Sequence, residues 1–263
     1  MALTAEGKQL TEAHRVGQIA LAAEADAALR LVWPVLDPAD LDRSEPAWMG
    51  ASLAVMRPQF EQSAAMASAY TVAYREAEGV PAGPLVRPKW NARVMSENLH
   101  LAGPVRVKLL VGTGMTGAAA ATAAVSKFAG IGRRGVMSGG RMMIHETSQR
   151  DTNVRGWRRV TDGNPCAFCA MLASRGPVYG KDTALSTGEG LRYHGHCGCT
   201  AELVYGEWEP SDMEQFYIDE YQRAAKEADA LGLPRTSKNV LPRLRQNGTF
   251  RDSPLSRNKT SGP

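Results

Sequence analysis

The sequence predicts a mainly α-helical chain with a long N-terminal helical hairpin and a small α+β, zinc-knuckle-like module in its C-terminal half. Two observations carry the first part of that reading: alanine-rich segments with apolar residues three or four apart, and prolines and glycines placed where such helices should stop. The third is that all four cysteines, with two of the five histidines, fall between Cys166 and Cys199, flanked by short β-like runs. Five segments follow: a helical hairpin over 1–80, a linker and helical region over 81–150, a Cys/His module over 151–210, a helix over 211–233, and a basic, flexible tail over 234–263.

The first helix is expected in "LTEAHRVGQIALAAEADAALRLVW", with Thr4 or Thr11 as its cap and Val16, Ile19, Ala20, Ala23, Ala27 and Leu31 as its apolar stripe. Pro34 ends it. The second starts near "SEPAW" with Ser44 as cap, kinks at Pro58 and closes at Gly79. "VPAGPLVRPKW" reads as a linker. Short helices are expected at "NARVMSENLH", "TGAAAATAAVSKFAG" and "GGRMMIHETSQRD", then strands at "WRRVTD" and "CTAELVYG". The last regular element is "SDMEQFYIDEYQRAAKEADALG", capped by Ser211 and stopped by Gly232. Beyond it, Pro, Ser, Arg and Asn outnumber apolar anchors.

Composition narrows the function classes. The chain has 263 residues, 43% hydrophobic and 22% charged, which is ordinary globular usage, with aromatics sparse at 6%. That length suggests two compact parts. A net charge of +4 is too small and too evenly spread to imply nucleic-acid binding. The locally basic "GIGRRG" and the tail read as solvated surface. No apolar run approaches the roughly 18 residues of a membrane span, and the N-terminus lacks a secretory core. The expectation is a soluble protein made in a cytoplasm, where clustered cysteines serve as metal ligands more readily than as disulfides.

Cys166 and Cys169 form a C-x-x-C knuckle, and "HGHCGC" supplies His194, His196, Cys197 and Cys199 about 25 residues later. A structural zinc site takes four ligands, so at least two of these six are spare. Zinc suits mixed Cys and His donors better than iron or copper. Two disulfides, or free thiols in a packed loop, are the alternatives.

Catalysis finds weaker support. "NPCAFC" matches the P-C-x-x-C half of the zinc deaminase signature, but "IHET" places His145 and Glu146 adjacent where that signature has H-x-E. "HETSQ" lacks the second His of a zincin, and neither G-x-S-x-G nor a phosphate-binding loop is present. Ser138 in "VMSGGR" is the most nucleophile-like serine, though Ser-Gly-Gly before a helix reads as a cap and turn. His14, His100 and His145 sit in no recognisable triad.

The order "IHET…WRRVTDGNPCAFCAMLASRGPVYG…YHGHCGCTAELVY" resembles the C-terminal module of phage Mu F-type minor head proteins, and "LTEAHR…WPVLDPADLD…PAW" is similar to their actinophage branch. The likeness runs over about residues 4 to 208. The family pattern falls on Glu146, Cys166, Cys169, His194, Cys197 and Cys199, with His196 ranked below His194 as a ligand. The resemblance implies a structural minor capsid protein of the virion interior, made in the bacterial host, acting in head assembly beside the portal and other capsid proteins. It implies no small-molecule substrate and no membrane. Contact with packaged DNA through the basic tail or "GIGRRG" is a further expectation. Members of this branch are often labelled capsid maturation protease, which keeps a hydrolase as the alternative.

Overall fold

The computed structural model describes residues 4–178 and 193–254. Among them the chain is mainly helical, with one two-stranded antiparallel sheet. Helix α1 (Ala5–Val32) starts where Thr4 Oγ1 accepts from the Gly7 amide at 2.9 Å, and it gives way to a 3-10 turn at Trp33–Val35 that holds Pro34. Helix α2 (Leu41–Ala77) returns antiparallel as the sequence predicts, but its cap is Asp40. Ser44 lies inside the first turn, where its hydroxyl donates to the Asp40 carbonyl at 2.7 Å and accepts from the Asp37 amide. Pro58 does not interrupt α2. Its missing hydrogen bond would have gone to Ala54, and both residues are exposed, so water can satisfy the carbonyl. Thr4 then closes the hairpin, its amide and hydroxyl both donating to Glu78 Oε1.

The buried face of α1 is not the predicted one. Val16 is 52% and Leu31 83% exposed, and Ala20, Ala23 and Ala27 are exposed with them. Thr11, His14, Gln18, Leu21, Ala25 and Leu29 face inward instead. Polar members of that stripe have partners: Gln18 and Ser63 exchange hydrogen bonds across the α1–α2 seam, and His14 stacks on Tyr70 with ring centroids 4.4 Å apart. A stripe chosen by hydrophobicity alone is therefore rotated off the true contact face.

An extended segment leads to α3 (Ala92–Ala102), capped by Asn91, and to α4 (Pro104–Gly112), which the sequence reading passed over. The next two predicted helices are one. Helix α5 (Gly117–Arg150) runs unbroken through "GIGRRG" and "SGG". These glycines are sites of close approach to α1 and α2: a Cβ on Gly132 would lie 2.0 Å from Leu29 Cδ1, and one on Gly139 only 2.2 Å from the Phe60 carbonyl oxygen. Hence "GIGRRG" is not solvated surface, and Ser138 is not a cap. Its hydroxyl donates to the Gly135 carbonyl within the helix.

Strands β1 (Gly156–Val160) and β2 (Thr200–Val204) pair with Arg158 opposite Glu202 and Arg159 opposite Ala201. Alternation turns Trp157 and Arg159 to one face and Arg158 to the other, yet both faces are covered. On the second face, Arg158 forks onto Glu202 at 2.8 and 2.9 Å and also pairs with Glu214, while Thr11 of α1 donates to Glu202 at 2.9 Å. Short helix α6 (Ala167–Ala173) follows the first cysteine. Helix α7 (Asp212–Ala230) has the predicted Ser211 cap, completed into a capping box by Glu214, and Gly232 beyond its end at φ 67°.

Within the expected flexible tail, Ser237–Asn247 forms helix α8, with Val240, Leu244 and the following Phe250 buried against α6 and α7. Leu241 packs there too, and Asp252 accepts from the Ala167 amide at 2.7 Å. Residues 255–263 of that tail, and 179–192 between the two cysteine pairs, lie outside the described residues. The Cys/His module shares a core with the bundle: Tyr70 and Tyr74 of α2 and Met143 and Ile144 of α5 pack with Trp157, Met171 and Leu203.

Candidate metal centre

Cys166 is the N-cap of α6, which leaves its side chain at the helix start with the Cys169 amide directed at Cys166 Sγ, 3.4 Å away. One helical turn brings Cys169 to the same end, and the bend leading into β2 returns His194, Cys197 and Cys199 to it. The five residues named by the sequence thus come together. They form two overlapping groups, Cys166–Cys169–His194 and Cys169–Cys197–Cys199, with the donor atoms of each within 4.8 Å of one another. Cys169 belongs to both. Its Sγ lies 3.5 Å from that of Cys197, and Cys166 Sγ lies 2.9 Å from His194 Nε2. No disulfide links the cysteines.

His196 points elsewhere. Its backbone takes a positive φ of 60°, and its Nε2 lies 3.0 Å from the Ser126 carbonyl, with the ring over Gly130 of α5. That positive φ turns the second imidazole of "HGH" away from the sulfurs and onto the bundle. His194, by contrast, has Nδ1 against the Gly195 carbonyl at 2.5 Å, leaving Nε2 toward the thiols. A ligating histidine is commonly held in this way, by a carbonyl on its other nitrogen.

Electrostatics fit a cation. Hydrogen bonds from Cys169 and His194 pull the Cys166 thiol down to about 5, and the Cys166 hydrogen bond lifts His194 to about 9. Cys197 is pulled far down by hydrogen bonds with Cys169 and Cys199 and by the charges of Arg141 and Arg159. Cys169 is pushed up by its hydrogen bonds with Cys166, Cys197 and Cys199. Crowded thiolates repel one another, and one soft divalent ion relieves that repulsion at every sulfur.

Two arginines missed by the sequence reading support the cluster. Arg141 of α5 donates to the Cys197 and Cys199 carbonyls, both at 2.7 Å. Its Cζ sits 3.8 Å from the Tyr193 ring centroid, and that of Arg159 sits 3.7 Å from the same centroid, so the ring is held between two guanidiniums. Arg159 Nη1 also reaches Cys169 Sγ at 3.6 Å. Their sequence signal was only "GGR" and "WRR", which read as parts of a helix and a strand. Of the residues weighed for catalysis, His14 is buried on Tyr70, His100 pairs with Glu45, and Ser138 is bonded to its own helix, while Ser138, His145 and Glu146 line one cleft beside the cluster.

Cys169 and Cys199 are fully buried and Cys197 nearly so, which describes a closed site that can cross-link α6 to the segment entering β2. No helix among the described residues is long and apolar enough to cross a membrane. Neither the curated proteins nor the solved structures contain a match to this chain. The model of the VG15 protein family does match, over residues 6–226, a span that takes in the bundle, the sheet and all five donors; the chain belongs to the VG15 family of phage proteins.

Proposed function

We propose that the chain is a Mu F-like minor capsid protein of a tailed phage, acting in head assembly near the portal from inside the capsid, with a structural zinc held by four of Cys166, Cys169, His194, Cys197 and Cys199. The observation that carries this reading is a phage-family match spanning most of the chain around a closed, buried thiol cluster. The zinc would supply a cross-link and no chemistry, since more protein donors converge there than a tetrahedral ion needs and none of the sulfurs faces open solvent. The portal and other capsid proteins are the partners this role requires. Exposed apolar side chains suit such packing: Val16 and Leu31 on α1, Leu101 on α3 and Leu109 on α4. Contact with DNA would use the basic tail, where Lys238 is exposed while Arg235 and Arg245 pair with Asp229 and Asp252.

The test is quantitative peptide mass spectrometry of purified virions of the parent phage, with complementation of a deletion by variants. The chain is expected at a few copies per particle, in fixed proportion to the portal, and its loss is expected to yield defective heads. Ser138→Ala and His145→Ala should leave head-protein processing unchanged. Absence from both virions and proheads would overturn the structural role, and loss of processing in either variant with assembly intact would favour the protease.

A further inference from the structure

A cleft of about 870 Å³ opens beside the thiol cluster, between α3, α5 and the first turn of α6. One face of α5 forms its wall, because Arg134, Ser138, Arg141 and His145 recur every three or four residues, with Glu146 at the end of the row away from Arg134. Val94, Met95, Met142 and Phe168 give the space an apolar lining. His194 and Tyr193 close the end nearest the sulfurs. That volume lies in the range of pockets that take small organic ligands.

Three residues of this lining carry a buried polar atom with no hydrogen-bond partner: Arg141 Nη1, His145 Nδ1 and Tyr193 Oη. Arg141 and Tyr193 are themselves 4% and 8% exposed. Buried polar atoms in folded proteins almost always have partners, and three that lack one belong to residues lining this one cavity. A guanidinium can only donate, and a phenol and an imidazole can donate or accept, so Arg141 requires an acceptor and the other two can share it. Arg134 adds a second cation. Its Nη2 is bound to Asn98 Oδ1 at 2.8 Å, and among the described residues no carboxylate pairs with it or with Arg141. Burial and the charge of Arg141 hold Arg134 below its ordinary pKa, as two like charges sharing one wall require.

We infer that this cleft binds an oxyanion-headed ligand with an apolar body, its carboxylate or phosphate set against Arg134, Arg141 and Tyr193 and its apolar part against Met95 and Phe168. The anion supplies the absent acceptor and offsets the paired guanidiniums. The apolar walls account for the rest of the space. Such a head can belong to a free amphiphile or to the C-terminal carboxylate of an apolar peptide, and the cleft chemistry is the same for both.

The experiment is calorimetric titration and thermal shift on the full chain as isolated, with its metal. Octanoate and octyl phosphate are compared with octanol, and acetyl-Leu-Leu as the free acid with its amide. At least one anionic probe is expected to bind and raise the melting temperature, with its neutral counterpart at least tenfold weaker. Binding by octanoate alone identifies a free amphiphile, and binding by the peptide acid identifies a chain end. Arg134→Met is expected to weaken the anion at least tenfold while the melting temperature of the free protein holds. Should that variant melt early, Val94→Trp, which narrows the mouth from a half-exposed position, is expected to weaken binding equally. No binding by any anion, or equal binding by the neutral probes, overturns the inference.

Discussion

His14 is 8% exposed beneath Tyr70, and burial pushes its imidazole down to about 4. The unfolded chain takes up that proton near pH 6.5 while the folded chain does not. Stability from this residue is therefore complete above about pH 6.5 and declines as the pH falls to 4, by up to about 3 kcal/mol. His14→Phe keeps the stacking ring and removes the titration. Urea unfolding at pH 7 and pH 4.5 should show wild type losing about 2 kcal/mol more than the variant, and equal losses would remove His14 as the acid-sensitive residue. At the candidate metal centre, Cys169 belongs to both donor groups whereas His196 faces α5. Cys169→Ser should abolish bound zinc and His196→Ala should leave it intact, as read by elemental analysis. The reverse pattern would mean that the two donor groups are misassigned. Spacing marked the four cysteines with His194 and His196 as one cluster, and only the resemblance ranked His194 above His196. Arg141 and Arg159 were not legible, because what marks them is the ring of Tyr193 and the carbonyls of distant cysteines.

At the scale of elements, local signals served well where the chain contacts itself nearby. Thr4, one of two cap candidates, and Ser211 cap the helices that follow them, and "WRRV" and "CTAELV" form the two strands. They failed where a distant surface decides. The buried stripe of α1 is set by Ser63 and Tyr70 of α2, and its polar members look exposed in sequence. Glycines that read as breaks in α5 are contacts with Leu29 and Phe60. The distinction is testable by one methyl group. Gly139→Ala places a Cβ 2.2 Å from a backbone oxygen and should cost about 2 kcal/mol in spite of alanine's better helix propensity. Gly50→Ala, on the exposed side of α2 with nothing within 4 Å, should gain about 0.5 to 1 kcal/mol. Denaturant midpoints decide both signs, and stabilisation by Gly139→Ala would contradict the packing of α5 against α2.

For the molecule as a whole, the cysteine module is built onto the bundle. Tyr70, Met143 and Ile144 share its core, Arg141 reaches its cysteine carbonyls, and Glu202 joins β2 to Thr11 of α1 and to Arg158. Isolated zinc modules depend on the ion for folding outright. Here much of the apolar packing is independent of it, since α1, α2 and α5 hold a separate core of Leu29, Trp48, Met56 and Phe128. Metal loss should therefore release α6 and the β2 entry while the long helices persist. The measurement that tests this account most directly is zinc content by elemental mass spectrometry, paired with thermal melting before and after chelation. One equivalent of zinc is predicted, with a lowered melting temperature after chelation and most helical circular dichroism retained below it. A chain that carries no metal as isolated, binds none when zinc is added, and melts identically with and without chelator would contradict a structural metal at these five residues.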